Sequence, residues 1–206
     1  MESLFNLKDK NAIITGSSRG IGKAIAYRMA EHGAKVIITS RKLDACEAVA
    51  KEINDTFGEG HATSIACNIS DKEQLQNLYK KSLDFCGSIS TLVCNAAINP
   101  YFGPSNKIPD EAFEKIMKSN VQSNFWLCNE VLPDMIKMKN GSIIIISSIA
   151  GLHGSSMLGA YAISKAADSQ LARNISVEYG RNNIRANCIS PGLIKTDFAR
   201  ALWENE

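Results

Sequence analysis

The sequence predicts a doubly wound α/β domain built on a parallel sheet, and three observations carry that prediction. Short β-branched runs alternate with longer helical patterns along the chain, which is how repeated β-α-β units read. One run, Ile143-Ile144-Ile145-Ile146, is apolar on both faces, as a parallel strand covered by helices on two sides must be. At 206 residues, 45% hydrophobic and 21% charged, the chain is long enough for one such domain with a sizeable core and short for two.

The first strand is expected over 12–15 and runs into glycines at 16, 20 and 22, with a helix over 20–32. Strands at 35–40, 62–67 and 91–94 follow, separated by helices at 42–57 and 71–86. A single long helix is expected over 110–139, then a strand at 142–147, a helix at 158–179, a strand at 184–189 and a short helix from Thr196. Gly33, Gly58, Gly87, Gly141 and Gly180 each follow a helical pattern, where a left-handed cap is commonly needed.

Composition excludes several function classes. The net charge is +2, and the lysines and arginines are scattered without aromatic interleaving, so no nucleic-acid partner is expected. The longest aliphatic run, 143–146, is far short of the roughly 20 residues that span a bilayer, and charges interrupt 1–10 before an apolar signal core could form. No membrane partner is expected. The six cysteines stand apart without a C-x-x-C, mostly in apolar segments, which fits a reducing cytoplasm. His32, His61 and His153 lack zinc-ligand spacing, and no metal site is expected.

Two constellations point to chemistry. Tyr161 and Lys165 lie four residues apart, so on a helix an ammonium sits one turn from a phenol on the same face. A cation there favours the phenolate and brings the phenol, ordinarily near 10, toward the range of an acid/base catalyst. On spacing alone the pair fits an ordinary amphipathic helix equally well. The second constellation is the glycine turn between a strand and a helix, where backbone can approach a pyrophosphate at the helix N-terminus.

Taken together these residues resemble the short-chain dehydrogenases/reductases. Residues 15–22 match T-G-x-x-x-G-x-G, Tyr161 and Lys165 match Y-x-x-x-K, Ser148 precedes the tyrosine at the family's spacing, and Asn120 falls at its fourth catalytic position. The resemblance implies a Rossmann-fold enzyme that moves a hydride between a nicotinamide and the carbon of a carbonyl or alcohol, its small-molecule substrate. It makes Tyr161 the acid/base, gives Lys165 the task of lowering the phenol's pKa and holding the nicotinamide ribose, and has Ser148 hold the substrate oxygen. Asn120 would distort its helix and hold a water of a proton relay. The implied cofactor contacts are Gly16, Ser18, Arg19, Gly20, Ile21 and Gly22 in the first turn, Ser40 and Arg41 after the second strand, and Asn68 and Ile69 after the third. Asn95, Ala96 and Ala97, Tyr161 and Lys165, and Pro191, Gly192, Ile194 and Thr196 complete the set.

The second strand ends Ile38-Thr39-Ser40-Arg41, with no carboxylate for a ribose 2′-hydroxyl and with Arg19 and Arg41 for a 2′-phosphate, so NADP(H) is expected over NAD(H). Residues 95–103 and 191–203 are similar to the branch of NADPH-dependent carbonyl reductases that includes the peroxisomal carbonyl/retinal reductase. Oxoacyl-acyl-carrier-protein reductases and sugar or polyol dehydrogenases share the scaffold, and a non-catalytic NADP(H)-binding regulatory protein is the alternative of another class. Tyr101, Phe102, Leu152, Met157, Phe198 and Trp203 are candidates for the substrate pocket or, equally, for plain core and lid. The family pattern further implies a homotetramer and a last strand and helix that this single domain, 1–206, lacks.

Overall fold

Side chains alternate between the two faces of a strand, so a buried parallel sheet needs apolar residues at successive positions and feeds a separate core on each side. The computed structural model, which describes residues 4–199 and 203, shows this arrangement. Six parallel strands, β1 Asn11–Thr15, β2 Lys35–Ser40, β3 Ala62–Ala66, β4 Thr91–Cys94, β5 Gly141–Ile146 and β6 Ile184–Ile189, pair in the order β3-β2-β1-β4-β5-β6. The helices between them are α1 Gly20–Glu31, α2 Leu43–Phe57, α3 Lys72–Cys86, α4 Asp110–Met117, α5 Ser123–Met138 and α6 Gly159–Tyr179.

On one face Ile13, Ile37, Leu92, Ile143 and Ile145 pack with Leu75 and Leu78 of α3, Leu127 and Val131 of α5, and Ile175 of α6. On the other, Ile14, Ile38 and Val93 meet Ala26 and Ala30 of α1 and Val49 and Ile53 of α2. Each fully buried isoleucine or leucine contributes about 1.5–3 kcal/mol. These two layers hold the strand ends rigid, and β1, between β2 and β4, marks the point where the winding reverses. The crevice beyond the strand ends there is the usual ligand position in such sheets. Among the described residues no helix is long and apolar enough to cross a membrane.

The doubly wound fold is as predicted, with differences at particular residues. The long helix expected over 110–139 is broken by a π-helical turn at Lys118–Gln122 between α4 and α5. Wider winding frees carbonyls from the ordinary ladder, and side chains capture two of them: Ser123 Oγ donates to Ser119 O at 2.6 Å and Asn124 Nδ2 to Asn120 O at 2.7 Å. Gly141 begins β5, and the left-handed cap after α5 falls on Lys139; after α6 it falls on Asn183 and not on Gly180. The final helix is a 3₁₀ turn at Asp197–Ala199, and its expected continuation over 200–202 lies outside the described residues.

Candidate active site

The first turn after β1 is built for an anion. Helix α1 has no acidic residue in its first turn and, like every α-helix here but α3, no side-chain cap among the described residues. Its leading N–H groups, at the positive end of the helix dipole, are therefore left for a ligand. Gly22 allows the required closeness: a Cβ there would stand 2.5 Å from Gly16 O and 2.6 Å from Asn95 Nδ2. Ser17 staples the turn to β2, donating from Oγ to Ile14 O at 2.6 Å and accepting from Thr39 N at 2.9 Å. A dinucleotide's pyrophosphate fits this cradle by charge and by space.

Thr15 and Asn95 tie the turn to the loop after β4. Thr15 Oγ1 accepts from the N–H groups of Asn95 and Ala96 at 2.9 and 3.0 Å, and Asn95 Nδ2 donates to Thr15 O and Gly16 O at 2.9 and 3.2 Å. Asn95 thus shapes the cradle through its amide. In the sequence Thr15 is the first residue of the matched motif and Ser17 one of its variable positions; the bonds their hydroxyls make show only in the fold.

At the adenosine end, Arg41 is exposed and Arg19 makes a 3.7 Å ion pair with Asp197, both partners largely exposed. An exposed pair of that length contributes little and leaves Arg19 available to a phosphate. Ser40 Oγ is engaged with Cys46 Sγ at 3.1 Å and Lys42 O at 3.3 Å. Asn68 is exposed, its Oδ1 accepting from Ser70 N at 3.2 Å, and Ile69 packs against the core. Ser18, Ala96 and Ala97 are half-buried, Gly20 is exposed and Ile21 is half-buried on the first turn of α1.

The candidate catalytic residues converge at the C-terminal end of β5. Ser147 and Ser148 follow the strand, and the structure separates their tasks: Ser147 Oγ donates to Lys165 O at 2.7 Å, while Ser148 Oγ caps a 3₁₀ turn by accepting from Ala150 N at 3.1 Å. Tyr161 and Lys165 come from α6, with Lys165 Nζ 5.8 Å from the Tyr161 ring centroid. A Cβ on Gly151 would meet Lys165 C at 2.7 Å and Ala166 N at 2.8 Å, so the Ser148 turn lies directly on the backbone of α6. Phe198 leans on Tyr161 with ring centroids 6.2 Å apart, and Trp203 Nε1 donates to Thr196 O at 3.1 Å. Phe102, Leu152, Met157 and Phe198 are substantially exposed, and Tyr101 donates its hydroxyl to Pro104 O at 2.9 Å. Pro191 O accepts from Ile149 N at 3.0 Å; Gly192 and Ile194 are exposed.

Asn120 is fully buried on the π turn. Its Oδ1 accepts from Ile98 N at 2.9 Å, and its Nδ2 donates to Ile98 O and Ser164 Oγ, each at 3.0 Å. The side chain locks the β4 loop to α6 one residue from Lys165.

Burial, Ser148 and Asp168 act on the Tyr161 phenol. Burial pushes the Tyr161 phenol above its ordinary value; the Ser148 hydroxyl, as a hydrogen-bond partner, pulls it down, and the Asp168 carboxylate pushes it up. Lys165 is occupied elsewhere: Nζ lies 2.9 Å from Asp168 Oδ2 and 2.8 Å from Ile146 O.

A family profile described as short chain dehydrogenase matches residues 10–206, nearly the whole chain. The chain belongs to the short-chain dehydrogenase/reductase family. Short-chain dehydrogenases/reductases are oxidoreductases that bind nicotinamide cofactors and act on small molecules. The chain is 40% identical over 201 residues to dehydrogenase/reductase SDR family member 4 of Oryctolagus cuniculus, covering 97% of this chain and 76% of that protein. It is 38% identical to the Homo sapiens protein of the same name, covering 96% and 70%. Among solved structures, a short-chain type dehydrogenase/reductase from Mycobacterium marinum superposes with a TM-score of 0.88 at 34% identity, covering 98% of this chain and 81% of that one. A putative short-chain alcohol dehydrogenase from Sinorhizobium meliloti superposes with a TM-score of 0.92 at 27% identity, covering 98% and 79%.

Proposed function

We propose that this chain is an NADP(H)-dependent reductase of carbonyl compounds, working in reverse as a secondary-alcohol dehydrogenase, with Tyr161 as the acid/base. The observation that carries the reading is the convergence of Ser148, Tyr161 and Lys165 at the end of β5. The nicotinamide, when bound, supplies or accepts the hydride. Ser148 orients the substrate oxygen, and Tyr161 donates a proton to that oxygen in reduction and removes it in oxidation. Lys165 would hold the ribose with the ammonium N–H that Asp168 and Ile146 leave over. Asn120 fixes the loop that bounds the nicotinamide against α6. Phe198 beside Tyr161, with Phe102, Leu152 and Met157 also exposed, favours an apolar or aromatic carbonyl.

Arg41 and Arg19 support NADP(H). Arg41→Asp is expected to lower the preference for NADPH over NADH by about ten- to a hundredfold, the worth of one charged hydrogen bond. Steady-state kinetics with both cofactors on a panel of diketones and aromatic ketones reads this directly. An unchanged cofactor preference contradicts the assignment, and no turnover with either cofactor contradicts the enzyme itself.

A further inference from the structure

Asp168, three residues after Lys165 on the inner face of α6, is 1% exposed, and Lys165 is 2% exposed. A carboxylate is costly to bury, and an apolar side chain at such a position is often no less stable. Here every oxygen is engaged: Oδ2 with the Lys165 ammonium at 2.9 Å, Oδ1 with Asn124 Nδ2 at 2.9 Å. Asn124 in turn holds Asn120 O on the π turn, so the carboxylate cannot rotate away. The lysine's other partner is the Ile146 carbonyl at the end of β5.

The surrounding groups leave Asp168 as the anion that matters. On its own helix it faces Lys165 and Tyr161. Strand β4 contributes the Cys94 thiol, kept protonated by its hydrogen bond with Cys128 of α5 and by burial. From β5 come the Ile146 carbonyl and the Ser147 hydroxyl, and from α5 the neutral Asn124. Burial holds the Asp168 carboxyl above its ordinary value, against the downward pull of Lys165 and Asn124.

We propose that Asp168 is a positioning residue of the acid/base pair: presented by Asn124, it anchors and neutralises the Lys165 ammonium and so keeps the Tyr161 phenol in its proton-donating form. The inference rests on the reading of Tyr161 as acid/base. It favours carbonyl reduction, where the phenol must hold a proton, over alcohol oxidation, which needs the phenolate. The aspartate touches no reacting atom and acts through the lysine.

The test is the titration of the Tyr161 phenol in the full chain, followed by the carbon-13 resonance of its Cζ. In Asp168→Asn the field of Lys165 is unopposed, and the phenol is expected to titrate lower by about one unit or more. Asp168→Glu, which keeps the charge, titrates with the wild type. NADP⁺-dependent oxidation of a secondary alcohol, measured below the wild-type midpoint, rises about tenfold in Asp168→Asn for each unit of that shift. A phenol that titrates at the wild-type value or higher overturns the proposal. Should Asp168→Asn fail to fold, the wild-type Asp168 Cγ resonance decides: an ionised carboxylate at pH 7 is expected, and a protonated one overturns it. The titration needs no turnover, so a protein inactive with both cofactors whose phenol still responds to Asp168→Asn sinks only the enzyme reading.

Discussion

Replacing Tyr161 by phenylalanine is expected to cut kcat/KM for NADPH-dependent carbonyl reduction by about 10²–10⁴-fold, the range a positioned acid/base supplies. The ring contacts survive the change. Phe at this position still meets Phe198 and still lies beside Lys165, and no cradle residue around Gly16 and Gly22 is touched. NADPH affinity, read by fluorescence titration, should therefore remain close to wild type. A loss confined to turnover assigns the hydroxyl to the proton step. Wild-type turnover in Tyr161→Phe contradicts that role.

The second large effect is expected from one methyl group. Gly151→Ala places a Cβ 2.7 Å from Lys165 C, 2.8 Å from Ala166 N and 2.9 Å from Lys165 O, all backbone atoms of α6. Helix backbone cannot yield as a flexible side chain would, so the 3₁₀ turn that starts at Ser148 must move off the helix. Overpacking of this kind costs about 1–3 kcal/mol, or roughly 2–12 °C in Tm for a chain of this size. The same displacement separates Ser148 from Tyr161, and a misplacement of about 1 Å can cost on the order of 10²-fold in rate. The expected result is a lowered Tm with kcat reduced by about ten- to a hundredfold and NADPH binding retained. A variant with wild-type Tm and kcat shows that the turn does not set the register of Ser148.

How far the sequence discloses this molecule depends on how local each cause is. The strands are legible because burial between two helical layers demands runs such as Ile143 to Ile146, and a run of that kind is visible without knowing its neighbours. The π turn at Lys118–Gln122 is legible only through the family resemblance, which implies a distortion at Asn120, and not through periodicity. Its cause is tertiary: Asn120 is pinned by Ile98 and Ser164, 22 and 44 residues away, while the 3.6-residue pattern of 110–139 reads straight through. The cap at Lys139 is missed for a similar reason, since Asn183 Nδ2 donates to its carbonyl across the β5 and β6 starts at 2.9 Å.

At the site, the register between Ser148 and Tyr161 selects one of two adjacent serines, and the structure shows the other hydroxyl spent on Lys165 O. Asp168 is the harder case. In the sequence an aspartate three residues from a lysine on a helix reads as a solvated surface pair, worth a few tenths of a kcal/mol. Only burial from both α5 and β5 distinguishes it from the exposed pair Arg28–Glu31, which has the same spacing. Lys165, read as lowering the phenol's pKa, stands in the structure ion-paired with Asp168 at 2.9 Å.

Hydride transfer from nicotinamide C4 to a carbonyl carbon is followed by deuterium labelling. The full chain is incubated with NADPH carrying deuterium at both positions of nicotinamide C4 and with an aromatic diketone, and the product is analysed by mass spectrometry. The account predicts an alcohol with one deuterium on its carbinol carbon, formed by the wild type and all but lost in Tyr161→Phe. A wild-type protein that binds NADPH yet returns the diketone unlabelled and unreduced, with NADH as well as NADPH, would contradict it.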